Sequence, residues 1–288
     1  MLRRSILLSG LAAGAAAAAP AAAAAPSERL PLFRRDWGSG RPVLFAASWA
    51  LDSRIWAYQV AHLSDRGFRC IAYDRRGHGR SPLARTGYDM DVFADDLRGV
   101  IDELDLREVA LVGHSMGCAE ILHYLARHGT GRVRKVALLA PAAPFLLRTA
   151  DNPYGAPMAW HEAAMRRWAR DFPGWAQENK APFFTPQTSP ALADWLTGQL
   201  VETPPAVAIA TYRALLQTDL RPGLPKVDRP TLILQGDQDA SAPLDATGRR
   251  VAAGVRGAEL RVYPGAPHGL FVTHMDQVNA DLEGFLRA

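Results

Sequence analysis

Residues 109–119 read VALVGHSMGCA, and no other stretch constrains the fold as strongly. Val109 to Val112 is short and apolar, as a buried strand is. Gly113-His114-Ser115-Met116-Gly117 follows, and then Ala119 to Arg127 with helical spacing. A serine between two glycines at a strand-to-helix junction matches G-x-S-x-G. The turn it predicts is so sharp that the serine backbone is strained. A side chain at either flanking position would meet the neighbouring strand or helix. The Ser115 hydroxyl is thereby raised above the sheet, at a helix amino end where unpaired N–H groups favour negative charge. An ordinary helix-capping serine is the alternative, and it does not need both glycines.

The rest of the chain repeats the strand–helix rhythm. Val43–Ala47, Arg69–Tyr73, Val133–Leu139, Thr231–Gln235 and Glu259–Tyr263 read as strands. Arg54–Leu63, Asp91–Leu104, Leu244–Ala253 and a last segment toward Leu286 read as helices. Such alternation predicts an α/β fold: a mostly parallel central sheet with helices on both faces. Between about 141 and 225 the rhythm stops. Prolines and the tryptophans Trp160, Trp168, Trp175 and Trp195 gather there. This segment is expected to be a helical cap over the carboxyl edge of the sheet, where open parallel sheets bind ligands.

The chain begins MLRRSILLSGLAAGAAAAAP, a basic tip followed by an apolar, alanine-rich run. That is the layout of an export signal. The Arg3-Arg4 pair points to the twin-arginine route. Residues 1–25 are therefore expected to be removed. Residues 26–288 are left as one domain, periplasmic or secreted, with no stable membrane association. The Ile6 to Leu11 core is too short to anchor the chain across ~30 Å of hydrocarbon. Lys and Arg number 33 against 29 Asp and Glu, scattered rather than clustered, so no nucleic-acid surface is expected. Two cysteines, Cys70 and Cys118, are too few for a disulfide framework and read as buried thiols, with a mutual bridge the weaker alternative.

A serine hydroxyl is a weak nucleophile without a base, and the base needs an orienting acid. Two loops after strands supply both. GDQDASAP follows Thr231–Gln235 and holds Asp237 and Asp239. PGAPHGL follows Glu259–Tyr263 and holds His268. Asp239 is the expected acid, because Asp237 directly after Gly236 is better placed to cap the turn. His274 sits where the last helix should begin. His114 lies inside the turn and is expected to pack there or line the pocket. His62, His123, His128 and His161 read as surface groups on amphipathic helices, and His78 lies in a basic turn. No His, Cys and carboxylate spacing marks a metal site.

These residues resemble the α/β-hydrolase superfamily, closest to its cofactor-free haloperoxidase and arylesterase branch. The stretches that carry the resemblance are YDRRGHGRS, MDVFADDL, GHSMG, VALLAPAAPFLL, GDQDASAP and YPGAPHGLFVTHMDQVNADLEGFL. The likeness runs from about Leu30 to the end of the chain. It implies Ser115, His268 and Asp239 acting together in ester hydrolysis, without haem, metal or other cofactor, with peracid formation as a side activity. It also implies an oxyanion hole built from the backbone N–H groups of Trp49 and Met116. Here the chain departs from the branch. Ala47 and Ser48 stand where His-Gly is usual, and a non-glycine residue resists positive φ. The Ser48 hydroxyl could reach the pocket; a local hydrogen bond is the preferred reading. Ala50 stands where perhydrolysing members often carry proline, which ranks peracid formation below hydrolysis.

The expected substrate is a small or medium, uncharged ester or lactone. Ser48, His114, Trp160 and Phe183 are the candidate pocket residues. Met158, Phe172, Phe184 and Trp195 are expected mostly to pack the cap. A protein that kept the fold for binding and lost catalysis is the alternative of another class.

Overall fold

The computed structural model describes residues 29–288; the leader expected at residues 1–25 lies outside them. Seven strands form one sheet: β1 (Arg34–Trp37), β2 (Arg41–Ala46), β3 (Phe68–Tyr73), β4 (Val109–His114), β5 (Val133–Leu139), β6 (Thr231–Gly236) and β7 (Glu259–Tyr263). Their order is β1-β3-β2-β4-β5-β6-β7. All neighbours pair in parallel except β1, which runs antiparallel along β3. The sequence reading has no β1. Its residues RRDW lie on the sheet edge and end exposed, so they carry no apolar run to reveal them.

Strand side chains alternate between two cores, as the pleat requires. Leu44, Ile71, Leu111, Val136 and Ile233 pack under α2 (Met90–Glu103) and α3 (Met116–His128). Phe45, Ala72, Val112, Ala137 and Leu234 pack on the opposite face, against α1 (Ala57–Ser64) and the carboxyl-terminal helices. Each of the Val, Leu, Ile and Phe side chains among these, when fully buried, stabilises the fold by about 1.5–3 kcal/mol. The predicted helix at Arg54–Leu63 is in fact a 3-10 turn, Ser53–Trp56, continued by α1; the Asp52 side chain caps the turn by accepting from Arg54 N–H.

Between β5 and β6 lie α4 (Met158–Glu178), α5 (Pro190–Glu202) and α6 (Pro205–Gln217). Pro173 lacks the N–H that α4 needs, and the helix is interrupted at Asp171, whose φ is −155°. The Asp171 carboxylate accepts from Gly174 N–H and restarts the helix. After β6 come α7 (Gly248–Gly254), then β7, α8 (Leu270–Thr273) and α9 (Met275–Arg287). Among the described residues, no helix is long and apolar enough to cross a membrane.

The strand order positions the site. From β2 the chain steps outward to β3, then returns across β2 to β4. The loops leaving β2 and β4 therefore diverge from adjacent strands, paired at Ala46 and Gly113. That divergence opens a crevice at the carboxyl edge.

Candidate active site

At the end of β4 the backbone turns at Ser115 with φ 54° and ψ −115°. For a non-glycine residue this conformation costs on the order of 1–3 kcal/mol, and the surroundings must hold it. They do so from three sides. Ser115 N–H donates to the Leu139 carbonyl at 2.9 Å, and the Ser115 carbonyl accepts from Cys118 N–H and Ala142 N–H. Both glycines are steric necessities. A Cβ on Gly113 would lie 2.8 Å from Cys118 N, and one on Gly117 would lie 2.3 Å from the Ala46 carbonyl oxygen. Met116 is the first residue of α3, so its N–H has no acceptor within the helix.

Asp239 and His268 rise from the loops after β6 and β7. Asp239 Oδ2 accepts from His268 Nδ1 at 2.8 Å and from Gln235 Nε2 at 2.9 Å. Its Oδ1 accepts from the N–H groups of Ser241 and Ala242. A carboxylate only accepts, so His268 Nδ1 carries the proton and Nε2 is left as the basic nitrogen. Asp237 binds elsewhere, accepting from Gly265 N–H across the two loops. His268 and Ser115 line the same cavity, of about 360 Å³. No hydrogen bond joins the Ser115 hydroxyl to His268 among the described residues. In ligand-free sites such contacts are often long and tighten only around substrate.

The loop after β2 forms the facing wall. Trp49 N–H makes no hydrogen bond among the described residues, while the Trp49 ring is fixed by donation from Nε1 to the Ala208 carbonyl at 2.8 Å. Neither Ala47 nor Ser48 has positive φ. The left-handed residue is Ala50, at φ 55°.

A family profile described as the alpha/beta hydrolase fold matches residues 41–198. The chain belongs to the α/β-hydrolase family. It is 38% identical to the non-heme chloroperoxidase CPO-A1 of Kitasatospora aureofaciens, over 88% of this chain and 95% of that protein. It is 32% identical to the bifunctional esterase/perhydrolase DCH of Acinetobacter calcoaceticus, over 89% of this chain and 96% of that one. Among solved structures, the esterase of Exiguobacterium antarcticum superposes with a TM-score of 0.87 at 30% identity, covering 90% of this chain and 96% of its own.

Within this hydrolase fold, three of the four candidate pocket residues line the cavity: Ser48, Trp160 and Phe183. Trp160 is 61% exposed and stands at the rim. Phe183 packs edge-on to the His268 ring at 5.4 Å, and its carbonyl accepts from Gly269 N–H, tying the cap to the histidine loop. The Ser48 hydroxyl makes no local hydrogen bond among the described residues, contrary to the preferred reading. His114 is a correction: it is fully buried and does not line the cavity. Its Nε2–H donates to the His268 carbonyl at 2.9 Å, and its ring packs 4.7 Å from that of His268. Burial, and then the nearby His268, hold His114 well below the usual histidine range, so it stays neutral. Its place is under the histidine loop.

The remaining histidines also differ from a uniform surface set. His62, His123 and His128 do contact carboxylates at the surface: Glu283, Asp91 and Asp95. His161 is instead buried and shares a hydrogen bond with the Tyr212 hydroxyl at 2.9 Å. His78 is buried as well, its Nδ1 bonded to the Arg76 carbonyl. Cys70 and Cys118 are free, buried thiols on opposite faces of the sheet. Burial pushes the Cys70 thiol up to about 12 and raises Cys118 also, so both stay protonated.

Sequence reasoning missed the innermost wall. Trp168, Trp175 and Tyr212 line the cavity and pack around the Trp49 ring at 4.6–5.9 Å. Helical spacing on α4 and α6 signals a buried face there but not which loop it meets. Among the described Asp, Glu, Lys and Arg residues, only Lys180 lines the cavity, and its ammonium is paired with Asp194 at 2.9 Å.

Proposed function

We propose that this protein is a serine hydrolase of small to medium, uncharged carboxylic esters or lactones. The observation that carries the reading is the arrangement around one cavity: Ser115 on a forced turn, and His268 with its inner nitrogen bound to Asp239. In this mechanism Ser115 Oγ attacks the substrate carbonyl carbon as His268 Nε2 takes its proton. Asp239 keeps the ring oriented and stabilises the imidazolium. The N–H groups of Trp49 and Met116 receive the oxyanion, each such donor lowering the barrier by about 3 kcal/mol. His268 then protonates the leaving alcohol. Water, deprotonated by the same ring, attacks the acyl-serine and frees the acid.

The aromatic lining, and the pairing of Lys180 with Asp194, favour an apolar acyl or aryl group over a charged one. A series of p-nitrophenyl esters tests both levels of the reading. Replacing Ser115 by alanine should lower kcat by roughly 10⁶-fold and abolish fluorophosphonate labelling; retained turnover would remove Ser115 from the mechanism. Across the series, kcat/KM should rise from acetyl toward medium apolar acyl chains and collapse for a carboxylated acyl group. A preference for the carboxylated ester would contradict the uncharged-substrate reading.

A second reading, peracid formation from carboxylic acid and peroxide, is favoured by the similarity to an esterase/perhydrolase. Ala50 argues for its lower rank. Proline is held near φ −65° and cannot replace a residue at 55° without rebuilding the loop. Bromination of monochlorodimedone in acetate and peroxide measures this activity directly. Export and removal of residues 1–25 complete the proposal; the amino-terminal sequence of the protein recovered from the periplasm or medium tests it.

A further inference from the structure

YDRRGHGRS contributes nothing to the mechanism as drawn, yet its first arginine is one of the most deeply placed charges in the molecule. Arg75 is 2% exposed and its partner Glu120, on α3, is fully buried. Arg75 Nε and Nη2 donate to Glu120 Oε2 at 2.8 and 2.7 Å. The Tyr73 hydroxyl donates to the other oxygen, Oε1. The same guanidinium also reaches the loop after β2. Nη2 donates to the Ala47 carbonyl at 2.9 Å and Nη1 to the Ser48 carbonyl at 3.3 Å.

We propose that Arg75 is a positioning residue that aims the Trp49 N–H into the oxyanion hole and holds it at a set distance from Met116. The proposal rests on the esterase reading above. Its physical basis is the planarity of the peptide bond. In a trans peptide the C=O and the following N–H point in opposite directions. The Ser48 carbonyl and the Trp49 N–H belong to one peptide plane. Drawing the carbonyl toward Arg75 therefore turns the N–H the other way. Without glycine at 47 or 48 the loop has fewer backbone conformations, and the fork of donors selects one of them. Glu120 completes the device. It sits one turn beyond Met116 on α3, so one ion pair links the two halves of the oxyanion hole. Stability alone is a poor reason for the pair, because buried ion pairs are often replaced by apolar groups without loss.

That last point supplies the test. The combined variant Tyr73→Phe, Arg75→Met, Glu120→Leu removes the network without leaving a lone buried charge. Active sites are first counted by complete fluorophosphonate titration, with Ser115→Ala as the unlabelled control. Expected is a wild-type titration endpoint, KM within twofold, and kcat per titrated site lower by about 10²-fold, the size of effect that a misplacement near 1 Å produces. Affinity for a trifluoromethyl ketone, which forms the oxyanion, should fall in step. A kcat per site within twofold of wild type overturns the role of Arg75. If that variant does not fold, Arg75→Lys decides: it keeps the charge on Glu120 but lacks the fork, and unchanged kcat per site overturns the proposal equally. A wild-type chain that the probe leaves unlabelled overturns the esterase reading and this proposal with it.

Discussion

Asp239 illustrates how a single side chain is given a role by its surroundings. Four donors converge on its carboxylate, two of them backbone N–H groups of its own loop. Those two pin the group, and Gln235 and His268 divide Oδ2. Asparagine at this position would present its amide nitrogen or its oxygen in a site built for acceptors only. His268 would then lose the partner that fixes its tautomer. Asp239→Asn should lower kcat by about 10⁴-fold while leaving KM near its wild-type value, as initial-rate kinetics will report. A residual rate near wild type would reassign the acid. His114 shows the opposite case: a second histidine, on the serine turn and packed beside His268, is kept neutral by burial and becomes scaffolding.

The unit that shapes the Ser115 turn is β4, the turn itself and α3 taken together. Gly113 faces the start of α3, and Gly117 faces the backbone of the neighbouring β2 loop. The turn can be this tight only because both Cβ positions are empty. Gly117→Ala forces a methyl group to within 2.3 Å of the Ala46 carbonyl oxygen and 2.8 Å of that of Ala47. Neither is a flexible side-chain end that could swing aside. Overpacking of this kind costs about 1–3 kcal/mol, which denaturant titration should register as a lowered midpoint. Because the displaced atoms belong to the loop carrying Trp49, kcat should fall as well. A stable, fully active Gly117→Ala would mean that the loop moves freely.

The sheet with its two covering layers hides several ionisable groups, and these make stability depend on pH. Burial, reinforced by Arg75, lowers the His78 imidazole to about 3 from an ordinary value of 6.5. Below pH 6.5 the unfolded chain binds a proton at this position that the folded chain refuses. The contribution of His78 to stability is therefore complete above pH 6.5 and is lost as pH falls toward 3, by about 1.4 kcal/mol per pH unit. Glu120 and Asp96 act in the opposite sense, since burial raises both and their protonation favours the folded state. A comparison of two proteins isolates the histidine. Between pH 6.5 and 5 the wild type should lose more unfolding free energy than His78→Asn; equal slopes would show that His78 is not titrating in this way.

The order of strands and helices was legible because the parallel strands read as short, mostly apolar runs, the inner ones from β2 to β6 burying both faces. The serine turn was legible because its geometry demands glycines at two positions. Asp239 and His268 could be chosen because each lies in a short loop after such a strand, and parallel strands deliver those loops to one edge. Other features carried no local mark. β1 gains its place by pairing with β3, the ring cage of Trp168, Trp175 and Tyr212 by helices closing over the sheet, and the Arg75–Glu120 pair by two segments 45 residues apart in sequence. Periodicity reports that a face is buried. Which partner it meets, and so which surfaces enclose the cavity and which charge steadies the Trp49 loop, is decided only when distant segments come into contact.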